Sequence, residues 1–300
     1  MARAAVLDEQ GATLRLVLQG SAFPADYRMP ADVAEAATMK AAGATVLAGG
    51  TDVYPAHVGR AFTGPVVDIS GIDELRRVEF TDDAYRLGAL TRWSDVAAAD
   101  LPARFDGLRA AARDIGGIQV QHAGTIGGNL CTASPAADGV PNLLALDASV
   151  ELASPSGRRV LPLGDFLTGY RETALAPDEL LTAVLVPRGD EDARAVFLKL
   201  GLRRYLVISV VMVAAIVVIE GDEVRDARVA VGACSPVAVR LPALEDELRG
   251  RPAGGLADVV TPAHLSGLTP IDDIRASAEY RRHAALTLVR RALERCGGAA

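Results

Sequence analysis

Two glycine-rich stretches decide how this chain is read: AGGTD at 48–52 and GTIGGNLCTASPAAD at 124–138. Glycine has no Cβ, so it adopts positive φ and lets a backbone approach a ligand closely. Consecutive N–H groups in such a turn form a concave anion site, and a helix start behind them adds a favourable dipole. A single Gly-Gly pair is an ordinary tight turn. Here both pairs are accompanied by Thr, Asn or Asp, whose side chains can bond hydroxyls while the amides hold phosphate. Two such turns suit a dinucleotide gripped from two sides. Neither stretch fits the G-x-G-x-x-G fingerprint or the phosphate loop with its lysine.

Outward from these turns the pattern alternates helix and strand. Asp32 is placed to cap a helix that runs to Lys40 and is closed by Gly43. Ala44 to Ala48 is a short apolar strand ending in the first glycine turn, and Val66 to Ile69 is another. Arg77–Phe80 and Tyr85–Leu87 flank Thr81-Asp82-Asp83 as a hairpin. Ser94-Asp95 caps a helix through Ala99, and a second helix from Leu108 to Ile115 stops at Gly116-Gly117. After the second glycine stretch come a helix at Pro141–Leu146, a hairpin of Val150–Ala153 with Arg159–Leu161, and a strand Leu180–Val186 ended by Pro187. The polar run Gly189–Asp192 marks a domain boundary. Val196–Leu200, Ile208–Ile219 and Arg228–Val231 then read as an antiparallel sheet, followed by a mostly helical tail. Residues 1–23 alternate weakly, as an extra strand or an arm would.

Composition narrows the function classes. The chain has 300 residues, half of them hydrophobic, enough for two or three domains. Its net charge of −7 argues against a nucleic-acid surface. Cys131, Cys234 and Cys296 are far apart and form no C-x-x-C, so no zinc or iron–sulfur site can be built from them. A disulfide scaffold is equally unsupported, and a reduced, cytoplasmic chain is expected. His57, His122, His264 and His283 show no ligand spacing, so no protein-bound metal is expected. Acidic Asp8 and Glu9 break up the N-terminus, which does not read as a signal peptide. The longest apolar run, Leu206–Ile219, falls short of the roughly 20 residues a bilayer requires, so no transmembrane segment is expected. Cys131 reads as a small buried thiol and His57 as a surface or capping histidine.

Taken together, AGGTD at 48–52, VVDISGIDELRRV at 66–78, LGALTRWSDV at 87–96, GTIGGNLCTASPAAD at 124–138, FLKLGLRR at 197–204 and DDIRASAEYRR at 272–282 resemble the FAD-binding (medium) subunits of the xanthine dehydrogenase and aerobic carbon monoxide dehydrogenase family of molybdenum hydroxylases. The motifs stand in the family order and cover about residues 24–290.

The resemblance implies an α+β fold. It has a two-lobed FAD-binding domain of the PCMH (vanillyl-alcohol-oxidase) type over 24–188, with lobe one at about 24–80 and lobe two at about 81–188. A C-terminal domain over 189–300 follows, with a three-stranded antiparallel sheet and a helix bundle. Residues 1–23 form an extension.

The resemblance also assigns residues. The backbone of Leu47, Ala48, Gly49, Gly50, Thr51 and Asp52 would hold the FAD diphosphate from one side, and that of Thr125, Ile126, Gly127, Gly128 and Asn129 from the other. Thr132 and Asp138 would bind hydroxyls or the nucleotide end. Gly116 would lie at the turn approaching the flavin and Leu181 at a strand bordering it. Lys199 would stand near the isoalloxazine, where a cation stabilises charge on the reduced ring. Ile115 stands where many relatives carry an aromatic residue, and Gln121 where they often carry Arg. Val207-Ile208-Ser209 replaces the common Asp-Ile-Ala, a form associated with relatives acting on nitrogen heterocycles. Asp272-Asp273, Arg275 and Arg281-Arg282 read as structural or as partner contacts.

The implied function is electron transfer within a complex. A large subunit would carry the molybdenum cofactor and hydroxylate a purine or other N-heterocycle, an aldehyde or CO. A small subunit would carry [2Fe-2S] clusters. FAD in this chain would pass electrons to an external acceptor such as NAD, a quinone or oxygen. No residue offers itself as a catalytic acid or base. Two other readings stay open on the residues alone: a stand-alone flavin oxidoreductase of the same fold, and a non-catalytic nucleotide-binding protein.

Overall fold

Asp32 starts the first helix as its sequence predicts: its carboxylate accepts the Glu35 amide at 2.9 Å. Helix Val33–Ala41 buries Val33, Ala36 and Ala37, the i, i+3, i+4 spacing of one helical face. Gly43, at φ +92°, turns the chain into strand Thr45–Leu47. That strand and Tyr27–Arg28 flank Val66–Asp68, and both pairings are parallel. The computed structural model describes residues 26–60, 62–204 and 206–298, so the expected extension over 1–23 lies outside the described residues.

The second sheet is antiparallel. Its strands run in the order Val78–Phe80, Ala84–Gly88, Leu180–Pro187, Ser149–Ser154 and Gly157–Pro162. Leu180–Pro187 lies in the middle because its apolar run tolerates burial on both faces. A register shift between Leu181 and Ala183 leaves Thr182 as a bulge. The Thr182 hydroxyl donates to the Glu151 carbonyl at 3.1 Å and carboxylate at 2.6 Å. Between the strands run helices Trp93–Ala98, Asp106–Asp114, Ile118–Ala123, Ile126–Thr132 and Gly139–Ala145. The first differs from its predicted cap: Arg92 holds the cap position, and Asp95 accepts the Arg92 amide at 3.0 Å. Asp95 therefore sits inside the first turn, where a carboxylate complements the amide ends.

The third sheet carries the three expected strands as Arg194–Leu200, Val211–Glu220 and Glu223–Gly232, with a two-residue fourth strand, Val239–Arg240, at its edge. Val211–Glu220 is the seam of the molecule. Met212, Ala214, Ile216 and Val218 face the core shared with the second sheet. Val211, Val213, Ala215 and Val217 face a separate core under helices Pro242–Leu248 and Ala278–Gly297. Alternation on a pleated strand explains the split. Each fully buried Val or Ile contributes about 1.5–3 kcal/mol. The strand starts later than Ile208, because residues 206–209 leave the ladder with Leu206 at φ +51°. The DDIRASAEYRR motif turns out to be a tie. Buried Arg281 donates to the carbonyls of Val210 and Ala233 at 2.7 and 3.1 Å and to Asp273 at 2.8 Å.

Candidate cofactor cleft

The first glycine turn follows the C-terminal end of strand Thr45–Leu47, at the edge of the parallel sheet. Gly50 holds φ +70°, and a Cβ there would lie 2.3 Å from the Tyr54 ring. A Cβ on Gly49 would lie 1.9 Å from the Ala123 carbonyl oxygen. Gly50 is thus required by its conformation, and Gly49 by close packing against the end of helix Ile118–Ala123. The amides of Gly49, Gly50, Thr51 and Asp52 donate to no protein acceptor among the described residues. Gly50 is buried and Gly49 half-buried, and amides in such places are costly unless something accepts from them.

The second stretch is built differently. The Ile126 amide donates to Thr91 O at 2.9 Å and the Gly127 amide to Ala89 O at 2.9 Å. Gly128 donates to Thr125 Oγ1 at 3.1 Å, which caps helix Ile126–Thr132, and Asn129 donates to Thr125 O at 3.0 Å. The amides of Ile126 to Asn129 are therefore spent within the fold, while the Thr125 amide donates to no acceptor among the described residues. A Cβ on Gly127 would lie 2.8 Å from Ala89, so its glycine serves close packing. What the stretch offers instead is side chains. Asn129 Oδ1 is buried without a hydrogen-bond partner among the described residues.

The two stretches face each other across a cleft of about 820 Å³, inside the roughly 300–1,000 Å³ range of cofactor sites. Ala48, Gly49, Gly50, Thr51, Asp52, Gly116, Thr125, Gly127, Gly128, Asn129, Thr132, Asp138 and Leu181 all line it. Leu181 reaches it because the Thr182 bulge turns the strand end. Leu47, Ile126 and Lys199 do not line it. Leu47 and Ile126 are core side chains, 3% and 0% exposed, and can act only through backbone.

Lys199, expected near the flavin ring, does not itself line the cleft but pairs with Asp138, which does. It is buried behind Asp138, with Nζ 2.6 Å from Asp138 Oδ2. Ser209 Oγ donates to Asp138 Oδ1 at 2.5 Å. Burial pushes the Asp138 carboxyl above its ordinary value, while Lys199 and Ser209 pull it back down. Both carboxylate oxygens are already occupied, so Asp138 presents itself to the cleft as a partnered group.

Sequence reasoning missed several cleft residues. Lys40 and Arg171 are its cationic lining residues. Lys40 donates to the carbonyls of Ala176 and Pro177, and Arg171 pairs with Asp52 at 3.1 Å on the rim. Their sequence signals are a helix end and a hairpin tip, and neither shows that residues more than a hundred positions apart meet in one cleft. Leu206, Val207 and Ile208 join Ile115, Gly116 and Val120 as an apolar wall. Cys131, expected to be buried, is exposed on the cleft surface. His57 bonds the Val53 carbonyl and stacks on Phe62 at 4.1 Å.

Free amides at one turn, two cations, an orphaned buried carbonyl oxygen and an apolar wall fit a molecule with a diphosphate, hydroxyls and a flat ring. FAD has these parts. No group of His, Cys, Asp or Glu suited to hold a metal occurs among the described residues.

Known proteins agree with this class of site. Residues 22–189 match the family described as the FAD binding domain in molybdopterin dehydrogenase, and residues 197–296 match the CO dehydrogenase flavoprotein C-terminal domain. The chain is 29% identical to the xanthine dehydrogenase FAD-binding subunit of Escherichia coli, over 92% of this chain and 97% of that one. It is 30% identical to the nicotine 6-hydroxylase medium subunit of Paenarthrobacter nicotinovorans, over 90% and 96%. Reconstituted CO dehydrogenase from Oligotropha carboxidovorans superposes with a TM-score of 0.85 at 26% identity, covering 92% of this chain and 98% of that one. The chain belongs to the family of FAD-binding medium subunits of xanthine dehydrogenase and CO dehydrogenase type, and is an oxidoreductase subunit.

Proposed function

We propose that this chain is the electron-output subunit of a molybdenum hydroxylase complex. A large subunit would carry the molybdenum cofactor and a small one the iron–sulfur clusters. The observation that carries the reading is the asymmetric cleft, with unpaired amides at 49–52 facing one region and an apolar wall facing another. Bound FAD would supply the chemistry by collecting electrons singly from the clusters and releasing pairs to an external acceptor, NAD, a quinone or oxygen. The chain's residues bind and orient. The amides of Gly49 to Asp52, with Lys40 and Arg171 nearby, hold the diphosphate. Thr132 and Asn129 take hydroxyls. Ile115, Gly116, Leu181 and the 206–208 segment cover the ring and exclude water.

The names of the xanthine and nicotine enzymes among its relatives favour a nitrogen heterocycle as the substrate hydroxylated in the large subunit. The residues of lobe one (24–80), lobe two (81–188) and the C-terminal domain (189–300) are proposed as working boundaries. No helix among the described residues is long and apolar enough to cross a membrane, and cysteines with no pairing framework support a cytoplasmic location.

The test is the absorbance spectrum of the purified chain, with the released cofactor identified by mass spectrometry. Flavin bands and equimolar, non-covalent FAD are expected. A colourless chain that also refuses added FAD would overturn the reading. Covalently held flavin would favour a stand-alone oxidoreductase instead.

A further inference from the structure

The 206–209 segment lies outside any helix or strand. It places Leu206, Val207 and Ile208 on the cleft, yet Leu206 and Ile208 are 56% and 53% exposed. Leu206 also holds φ +51°, a conformation that leucine rarely adopts and that persists only when its surroundings impose it. Its side chain rests on Gly117, and polar ties hold the backbone around it. The Val210 amide donates to Leu200 O at 2.7 Å and closes the base of the segment. The Arg203 guanidinium donates to Leu206 O at 3.0 Å.

The remaining tie is buried. Ser209, 2% exposed, donates its hydroxyl to Asp138 Oδ1 at 2.5 Å. Asp138 Oδ2 takes the Lys199 ammonium, which also donates to the Asp114 carbonyl at 3.4 Å. Asp114 ends its helix immediately before Ile115 and Gly116 on the cleft wall. Two separate stretches of the apolar wall therefore converge on the buried Asp138 carboxylate, the 114–116 turn through Lys199 and the 206–208 segment through Ser209.

We propose that Ser209 is a positioning residue, a latch that fixes the 206–208 segment over the cleft through Asp138 and Lys199 and so sets the surroundings of the flavin ring. Ser209 does not line the cleft. It acts through its neighbours. The part of the proposal that concerns the flavin rests on the FAD reading above; the latch itself does not. Opening of the segment is a local event whose free energy is smaller than that of global unfolding. A hydrogen bond to a buried charged group is strong enough to change that opening measurably.

The experiment is hydrogen–deuterium exchange on the full chain without added cofactor, comparing wild type, Ser209→Ala and Ser209→Thr, followed by visible circular dichroism after loading with FAD. In Ser209→Ala, the Val210 amide, which donates to Leu200 O at the base of the segment, should exchange about tenfold faster, while the amides of the hairpin 149–162 keep the wild-type rate. Ser209→Thr keeps the hydroxyl and should restore slow exchange. FAD should still bind at the wild-type stoichiometry, with its visible dichroism altered in Ser209→Ala and restored in Ser209→Thr. Unchanged exchange in Ser209→Ala would overturn the latch. So would equal acceleration in the 149–162 hairpin, which would make Ser209 a general support of the fold. A wild-type chain that takes no FAD would defeat the functional reading, and the exchange rates would still decide the latch.

Discussion

At the scale of single residues, the cleft depends on atoms that are missing and on charges that are paired. Gly50→Ala would force a Cβ to within 2.3 Å of the Tyr54 ring while keeping φ at +70°. The left-handed conformation alone costs roughly 1–2 kcal/mol for a residue with a Cβ. Because the loop can relieve both strains by shifting its amides, the effect should appear in ligand affinity before global stability. FAD titration followed by flavin fluorescence should show binding at least about tenfold weaker, with the urea midpoint little changed. Lys199 makes the opposite case. Lys199→Met leaves Asp138 as an uncompensated buried carboxylate, an error that costs about 3–5 kcal/mol. Urea unfolding should show that loss, and adding Asp138→Asn should recover much of it by removing the orphaned charge. If the two substitutions simply add, the pair is not coupled.

At the scale of elements, the two glycine stretches show that similar sequence can be put to different structural use. Helix Ile126–Thr132 begins at Thr125, whose hydroxyl accepts the Gly128 amide. Gly127 lets the helix lie against Ala89. Thr125→Ala should cost about 1 kcal/mol in urea unfolding, the usual value of a lost cap. It should also free the Gly128 amide toward the cleft, so FAD affinity should change as well; an unchanged affinity would separate the helix start from the cofactor. The helices, hairpins and long strands were legible because period and punctuation act locally: Asp32 before an Ala-rich run, Gly43 after it, alternation in 211–218. The use made of the second glycine stretch was not legible. Whether an amide is spent on Ala89 O or left for a ligand depends on where a strand forty residues earlier is packed.

At the scale of the whole molecule, strand Val211–Glu220 joins two cores, and Arg281 ties its start to the C-terminal helix. Asp273 completes that tie. Against the upward push of its partial burial, the amides of Arg275 and Ala276 and the guanidinium of Arg281 hold its carboxyl well below the usual carboxylate range. A depressed folded pKa contributes stability above the ordinary value of 3.8 and loses it as pH falls below that value. Thermal unfolding should therefore show a stability that drops on acidification below about pH 4, with a shallower drop in Asp273→Asn. An identical acid limb in wild type and variant would assign the loss to other carboxylates.

By itself the sequence determined the class of fold, the glycine turns, the seam strand and the family, because these follow from local conformational preference, from the period of apolar residues and from ordered motifs. Only the tertiary structure decided which glycine stretch keeps most of its amides free, that Lys199 pairs with Asp138 behind the cleft lining, and that Lys40, Arg171 and the 206–208 segment share one cleft. The physical reason is the same in each case. Hydrogen-bond donors and charges choose partners by proximity in space and by what desolvation leaves unpaired, and residues separated by a hundred positions carry no local mark of the neighbour they will meet.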